Sequence, residues 1–257
     1  MRSRYRISVG GVQMDTLDDN LLILDIAYPP PTFTANRNKA ANVAGYEPDD
    51  EYLEQNSVTV TFELHIYDVA ERNAVCQKVN EWARAGGDLK TNDREGQMLR
   101  YVRCDQYASI ESARNWTDPL TLVFVTTYVP YWQSDKTVKL ALSGASAGGT
   151  LKMDGNIGDG LVSVEAKANT TIKNFSITVG DTKLEVTGIT LANNQVLNID
   201  YVHSRYLRIR ANGKSVTDKL SADSTDLLTA PCGANTPVSY IASGKMTVSI
   251  TARGLWL

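Results

Sequence analysis

The sequence predicts a mainly β protein in two parts, the first of which carries one α-helix. Three observations lead there. The stretch Ser57 to Trp132 holds one strictly alternating strand, one capped helical run and two further strand-like runs. Beyond Ser134 the apolar runs are short, alternate with polar residues and are separated by turn residues. No helical period recurs in that second half, which points to an antiparallel sandwich.

In chain order, Tyr5–Val9 and Leu21–Ile26 read as short strands around a Gly10-Gly11 turn. Pro29-Pro30-Pro31 ends them, because proline donates nothing to a ladder and stiffens the residue before it. Residues 32–56 are polar and too long for a simple turn, which marks an extended arm or a mobile surface loop. Phe33, Tyr46, Tyr52 and Leu53 punctuate this stretch. Spaced apolar anchors on a polar segment suit a contact with a neighbouring subunit.

In Ser57–Tyr67 the residues Val58, Val60, Phe62, Leu64 and Ile66 fall on one face at a period of two. Asp68 followed by Glu71 forms a capping-box pattern, so a helix should begin at Val69 and run to about residue 85. Val75, Val79 and Trp82, with Cys76 and Ala83, form its apolar stripe, and Glu71, Lys78 and Glu81 face away. Gly86-Gly87 can supply a left-handed stop. Gly87–Gln97 reads as a polar, turn-rich connection, followed by strands at Met98–Cys104 and Leu120–Tyr128. The domain boundary is expected near Ser134-Asp135, giving units of residues 1–133 and 134–257.

In the second unit Gly144–Gly149 reads as a flexible loop of small residues. Strands are expected at Leu161–Ala166, Ile172–Val179, Thr182–Val186, Val196–Asp200, Tyr206–Arg210 and Lys245–Ile250. Asn212-Gly213 is a strong signal for a tight type I′ hairpin.

A net charge of −3 gives no whole-chain field that would hold nucleic acid. Arg2, Arg4 and Arg6 are a local exception, best read as a solvated terminus or one strand face. The first residues lack the apolar run of a secretory signal, and Leu21–Leu24 is too short to cross a bilayer. The 3 cysteines, Cys76, Cys104 and Cys232, are widely spaced, which fits synthesis in a reducing cytoplasm without a disulfide framework.

Catalysis is hard to build from these residues. His65 sits on the outer face of a strand and His203 in a turn. No Gly-x-Ser-x-Gly elbow, His-Glu-x-x-His helix or Gly-Lys-Ser/Thr phosphate loop occurs. Asp154-Gly155-Asn156 and Asp159-Gly160 hint at a calcium loop but lack its terminal bidentate Glu, so a β-turn is expected. No catalytic residue, cofactor or metal is assigned. Aromatics could stack on sugar rings from the second sandwich, with Tyr201, Tyr206, Tyr240 and Trp256 nearest, but most are expected to be core or interface residues instead.

Scattered segments give the chain a family resemblance. They include Val58–Leu64 followed by Asp68, Arg72 and Trp82–Leu89, then Ser112–Phe124 running into Tyr128–Trp132. Toward the other end come Leu197–Asp200, Asn212-Gly213, Leu227-Leu228, Cys232–Asn235 and Arg253–Trp256. The pattern resembles the distal tail proteins of long, non-contractile-tailed bacteriophages, the siphophage tail-tip hubs. The resemblance implies an N-terminal β-sandwich bearing one helix and a C-terminal galectin-like antiparallel β-sandwich. It implies a homo-oligomer, usually a hexameric ring, at the distal end of a virion tail, made in the cytoplasm of the bacterial host. Its expected partners are a tail tube protein above and a tail-tip or baseplate hub protein below, with phage DNA passing through the channel without specific binding. Receptor-binding proteins or host glycans would engage the outward domains, and no membrane insertion is implied. The alternative is a carbohydrate-binding adhesin using the second sandwich, and an enzyme that cuts cell-wall polymers is a third reading.

Overall fold

A computed structural model describes residues 4–30, 32–38, 47–111, 118–204 and 206–257, with side chains for all of these except 32–38 and 47–54. The resemblance segment Ser112–Trp116 and the anchor Tyr46 lie outside the described residues. The chain divides into two compact units, Met1–Tyr131 and Trp132–Leu257.

The first unit begins with β1 (Ile7–Val9), β2 (Val12–Gln13) and β3 (Leu21–Ala27). Then come β4 (Thr32–Asn38), β5 (Glu47–Gln55) and β6 (Ser57–Leu64). Helix α1 (Val69–Ala85) is followed by β7 (Gly87–Thr91), β8 (Gln97–Gln106) and β9 (Leu120–Thr126). The main sheet runs β2-β1-β7-β8-β9-β6-β3 through antiparallel ladders. Strand β6 alternates between half-buried and buried positions, with Val58, Val60, Phe62 and Leu64 all inward and Ile66 buried just beyond. The period of two read from the sequence is therefore the period of burial.

Helix α1 starts where the capping residues place it. The Asp68 carboxylate accepts the Glu71 backbone N–H at 2.8 Å. The buried face is Val75, Cys76, Val79, Trp82 and Ala83, and Glu71, Lys78 and Glu81 are exposed. The Trp82 ring meets Phe124 of β9 edge-to-face at 5.8 Å, and its indole N–H donates to the Val12 carbonyl at 3.0 Å. Arg72 is buried among these residues at 2% exposure. Its guanidinium donates to the carbonyls of Ile66 (2.7 Å) and Tyr67 (3.1 Å), tying the helix to the end of β6.

Two expectations for this unit are corrected. Gly86 has the positive φ of 62° foreseen for it, but its ψ of −166° leads straight into an extended strand. The connection after it is thus not all turn: Gly87–Thr91 forms β7, between β1 and β8. Its inward residues, Leu89 and Thr91, are too few to show a period, and hydrogen bonds on both edges order it. A bulge in β8 leaves Tyr101 at φ 56°, with its N–H toward Asp88 Oδ1 and its ring against Tyr128 at 5.5 Å.

The second unit comprises β10 (Trp132–Ser134), β11 (Val138–Lys152), β12 (Asp159–Ala168), β13 (Phe175–Val179) and β14 (Thr182–Val186). It continues with β15 (Val196–Val202), β16 (Tyr206–Ala211), β17 (Lys214–Ser215), β18 (Thr229–Pro231), β19 (Asn235–Ala252) and β20 (Leu255–Trp256). The organising strand is β19, 18 residues long. Along one edge it pairs with β11. Along the other, Val238–Ala242 pair with β13 and Met246–Ala252 with β12. Two groups of strands, β13-β14 and β12-β15-β16-β17, thus share one long strand that curls over a common core. Val238, Tyr240, Met246, Val248 and Ile250 face that core with Ile177, Leu184, Leu197 and Ile209.

Gly144–Gly149 is not a loop. It lies within β11 and pairs with β19 across a register shift between Gly144 and Ser146. Its small residues have low strand propensity, and the ladder to β19 overrides it. Asn212 and Gly213 both have positive φ, 47° and 82°, as a type I′ turn requires, and they join β16 to the short β17. Asp154–Asn156 forms a seat for the last strand: the Asn156 N–H donates to the Leu255 carbonyl at 2.9 Å, and a Cβ on Gly155 would lie 2.4 Å from that same oxygen. Arg253 Nη1 donates to the carbonyls of Ser134 (2.8 Å) and Asp135 (2.7 Å), so β10 and β20 close the unit on itself.

Candidate functional site

The first unit carries a second, separate sheet made of β4 and β5. These strands pair with each other, and among the described residues no other strand pairs with them. Within 32–56, Thr32–Asn38 and Glu47–Gln55 therefore pair as antiparallel strands, where the sequence shows only a polar stretch. The acidic run Glu47-Pro-Asp-Asp-Glu51 hides the strand, since Pro and Asp are depleted from strands. Phe33 and Leu53 are register partners, and Tyr52 lies opposite Thr34.

The hairpin grows from the edge of the main sheet, because β3 leaves at Ala27 and β6 returns at Ser57, with Ala27 opposite Thr59. Both legs are held at the root. On the outgoing leg the half-buried Tyr28 hydroxyl bonds Thr91 Oγ1 at 2.8 Å and Asp93 Oδ1 at 2.5 Å. The Arg94 guanidinium covers the Tyr28 ring at 4.8 Å. Burial, together with the Asp93 carboxylate, pushes the Tyr28 phenol far above its usual range, so it is a neutral donor at all working pH values. On the returning leg the backbone of the buried Asn56 makes two bonds to Thr126: the Thr126 N–H donates to the Asn56 carbonyl at 3.0 Å. The Asn56 N–H donates to Thr126 Oγ1, also at 3.0 Å. Sequence reading singled out the hairpin's own aromatics and missed this root. Tyr28 before three prolines, and a lone polar Asn between two strands, were the available signals.

Exposed large hydrophobic residues occur in both units, with six of the nine described ones in the first. Among the described residues Val12, Leu24, Tyr67, Val69, Tyr107 and Ile110 of the first unit are exposed, against Tyr206, Ile241 and Leu257 of the second. Tyr67 is 85% exposed, beside Val69 at the start of α1.

The four aromatics considered for sugar stacking do not converge. Tyr240 is a core residue, 1% exposed, packed on Phe175 and donating to the Gly144 carbonyl at 2.9 Å. The Tyr201 hydroxyl is held by Leu228, whose N–H donates to it at 2.8 Å. Trp256 donates to Ser134 Oγ at 3.2 Å. Tyr206 alone of the four is widely exposed, at 65%. Val75, Val79 and Trp82, named from the sequence for helix packing, are buried on α1.

His65 is exposed and pairs with Glu63 at 3.2 Å, and His203 sits in a left-handed turn at φ 52°. All three cysteines are free, and burial pushes each thiol upward, Cys104 to about 11. Among the described residues no group of three or more His, Cys, Asp or Glu is placed to share a metal ion. None of the described helices is long and apolar enough to cross a membrane.

No protein-family model and no curated protein matches the sequence. Solved structures do match the fold. One is the crystal structure of the SPP1 Dit (gp 19.1) protein, described as a paradigm of the hub adsorption apparatus in Gram-positive infecting phages. It has a TM-score of 0.72 at 15% identity, covering 97% of this chain and 98% of that one. A second is a chain of the phage P2 baseplate in its activated conformation with Ca, with a TM-score of 0.50 at 7% identity and 97% coverage of both chains. The first likeness agrees with the resemblance read from scattered sequence positions, and it spans both units: over nearly its whole length the chain has the fold of the SPP1 Dit protein.

Proposed function

We propose that this chain is a structural, non-enzymatic virion protein, a ring-forming hub at the distal end of a phage tail. The observation that carries this reading is the likeness to SPP1 Dit across both units. In the proposed assembly, six copies form a ring through their first units. The ring joins a tail tube protein on one side to a tip or baseplate protein on the other, and DNA passes through without specific contacts. The second units face outward and present receptor-binding parts. Two features of the first unit support this division of labour. Among the described residues it holds six of the nine exposed large hydrophobic side chains, which suits a subunit interface. It also projects a hairpin clamped at its root by Tyr28 and Asn56, which suits an arm laid on a neighbour. A head-to-tail contact that closes on itself gives such a ring, with all subunits equivalent.

Sedimentation velocity and negative-stain imaging of the purified protein test the reading. The expected result is a closed ring, alone or once tube or tip proteins are added. A strict monomer at high concentration, with no ring under either condition, would refute it.

A further inference from the structure

The outer face of β15 and β16 holds a hydrogen-bonding array that the hub role leaves unused. Asp200 and Arg208 are cross-strand partners, as are Asn198 and Arg210, and Glu165 of β12 lies opposite Asn198. Because Leu197, Ile199 and Ile209 point into the core, these polar residues all point out. Arg208 grips Asp200 with two bonds, Nε to Oδ1 at 2.6 Å and Nη2 to Oδ2 at 3.0 Å. Arg210 Nη2 reaches the same Oδ2 at 3.1 Å.

Two guanidiniums thus share one carboxylate, which leaves a net positive charge on the array. On the same face of β12, Lys167 and Glu165 offset each other, so the array keeps the charge of its own two guanidiniums and one carboxylate. Arg210 Nε is buried and has no hydrogen-bond acceptor. The Arg210 side chain as a whole is 36% exposed, so a ligand would meet it at atoms other than Nε. The exposed Tyr206 ring stands on the same face, two residues along β16 from Arg208. An aromatic beside planar, preorganised polar groups matches a sugar: the ring packs on the tyrosine and the forks read its substituents.

We infer that this face of the second unit binds a pyranose bearing an anionic group, with Arg210 and Arg208 taking the anion and Tyr206 the sugar ring. The inference does not depend on ring formation. Stability alone does not account for the array, since exposed cross-strand ion pairs contribute little. Guanidinium forks suit carboxylate and phosphate equally, so the two sources of charge are separated by experiment.

Saturation-transfer NMR and calorimetry on the full chain would compare glucuronate, glucose 6-phosphate, glucose and inorganic phosphate. One or both anionic sugars should bind about tenfold more tightly than glucose, the size of one charge-assisted hydrogen bond. Whichever binds more tightly names the anion, and added salt should weaken it. Tyr206→Ala should remove saturation of the ring protons, and Arg210→Lys should erase the preference for the charged sugar. Lys183→Met, on β14, should change neither. Equal binding of all sugars, no binding of any, or binding that survives both Tyr206→Ala and Arg210→Lys would overturn the inference. Inorganic phosphate matching the anionic sugars would overturn its saccharide part.

Discussion

Replacing Trp82 by Ala tests the packing logic of the first unit most directly. Trp82 is 7% exposed, lies edge-to-face on Phe124 and spends its indole N–H on the Val12 carbonyl. Truncating a large buried aromatic costs about 3–5 kcal/mol. The ring pair contributes roughly 0.5–1.5 kcal/mol and the lost hydrogen bond about 1 kcal/mol, both already inside that range because the contributions are not additive. The expected loss for Trp82→Ala is therefore about 4 kcal/mol. Trp82→Phe, which keeps an aromatic but strands the Val12 carbonyl, should lose roughly 1–3 kcal/mol. The assay is urea unfolding read by hydrogen exchange in peptides of α1, which reports the first unit whatever the second is doing. Glu81→Ala, one residue away on the exposed face, is the control and should stay within about 0.5 kcal/mol of the parent. A loss below about 1 kcal/mol for Trp82→Ala would mean that this side chain does not hold helix to sheet, and the helical phase would be wrong.

Four further outcomes are expected. Gly86→Ala should destabilise the first unit by more than about 1 kcal/mol in the same assay, because φ is 62° and the new Cβ would lie 2.8 Å from the Val102 carbonyl oxygen. Deleting Ala35 to Glu51 should leave both units folded by circular dichroism and thermal melting yet weaken ring assembly; sedimentation of an unchanged oligomer at equal concentration would show the hairpin to be dispensable. Tyr28→Phe should mimic part of that deletion, lowering the assembled fraction in sedimentation while the unfolding midpoint moves little. Asp200→Asn tests the array by pH. Hydrogen bonding from Arg208 holds the Asp200 carboxyl below its ordinary value, with Arg210 adding to the effect. A depressed folded value means the carboxylate stabilises the fold above the unfolded value of about 4. That contribution is lost as pH falls through the depressed folded value, so parent and variant should differ at neutral pH and converge in acid, and a difference that persists unchanged in acid would contradict the assignment.

Much of this protein is decided by local pattern. Alternation in Ser57–Leu64, the Asp68 cap, the Val75–Val79–Trp82 stripe and the Asn212-Gly213 turn are each set by neighbours a few residues away, so one sequence suffices to read them. What only the tertiary structure decided depends on partners far along the chain. Gly144–Gly149 is a strand because β19, about a hundred residues on, supplies its ladder; its own side chains carry no such preference. Gly87–Thr91 is a strand because β1 and β8 bond both its edges. Thr32–Asn38 and Glu47–Gln55 are paired strands, rooted where Tyr28 meets Asp93 and Asn56 meets Thr126, contacts separated by 65 and 70 residues. Asp200, Arg208 and Arg210 read individually as ordinary solvated charges, and the register of β15 on β16 turns them into one array. Periodicity records which face of an element is buried, whereas register and long-range pairing are set by closing the whole chain around its cores, which no short window of sequence contains.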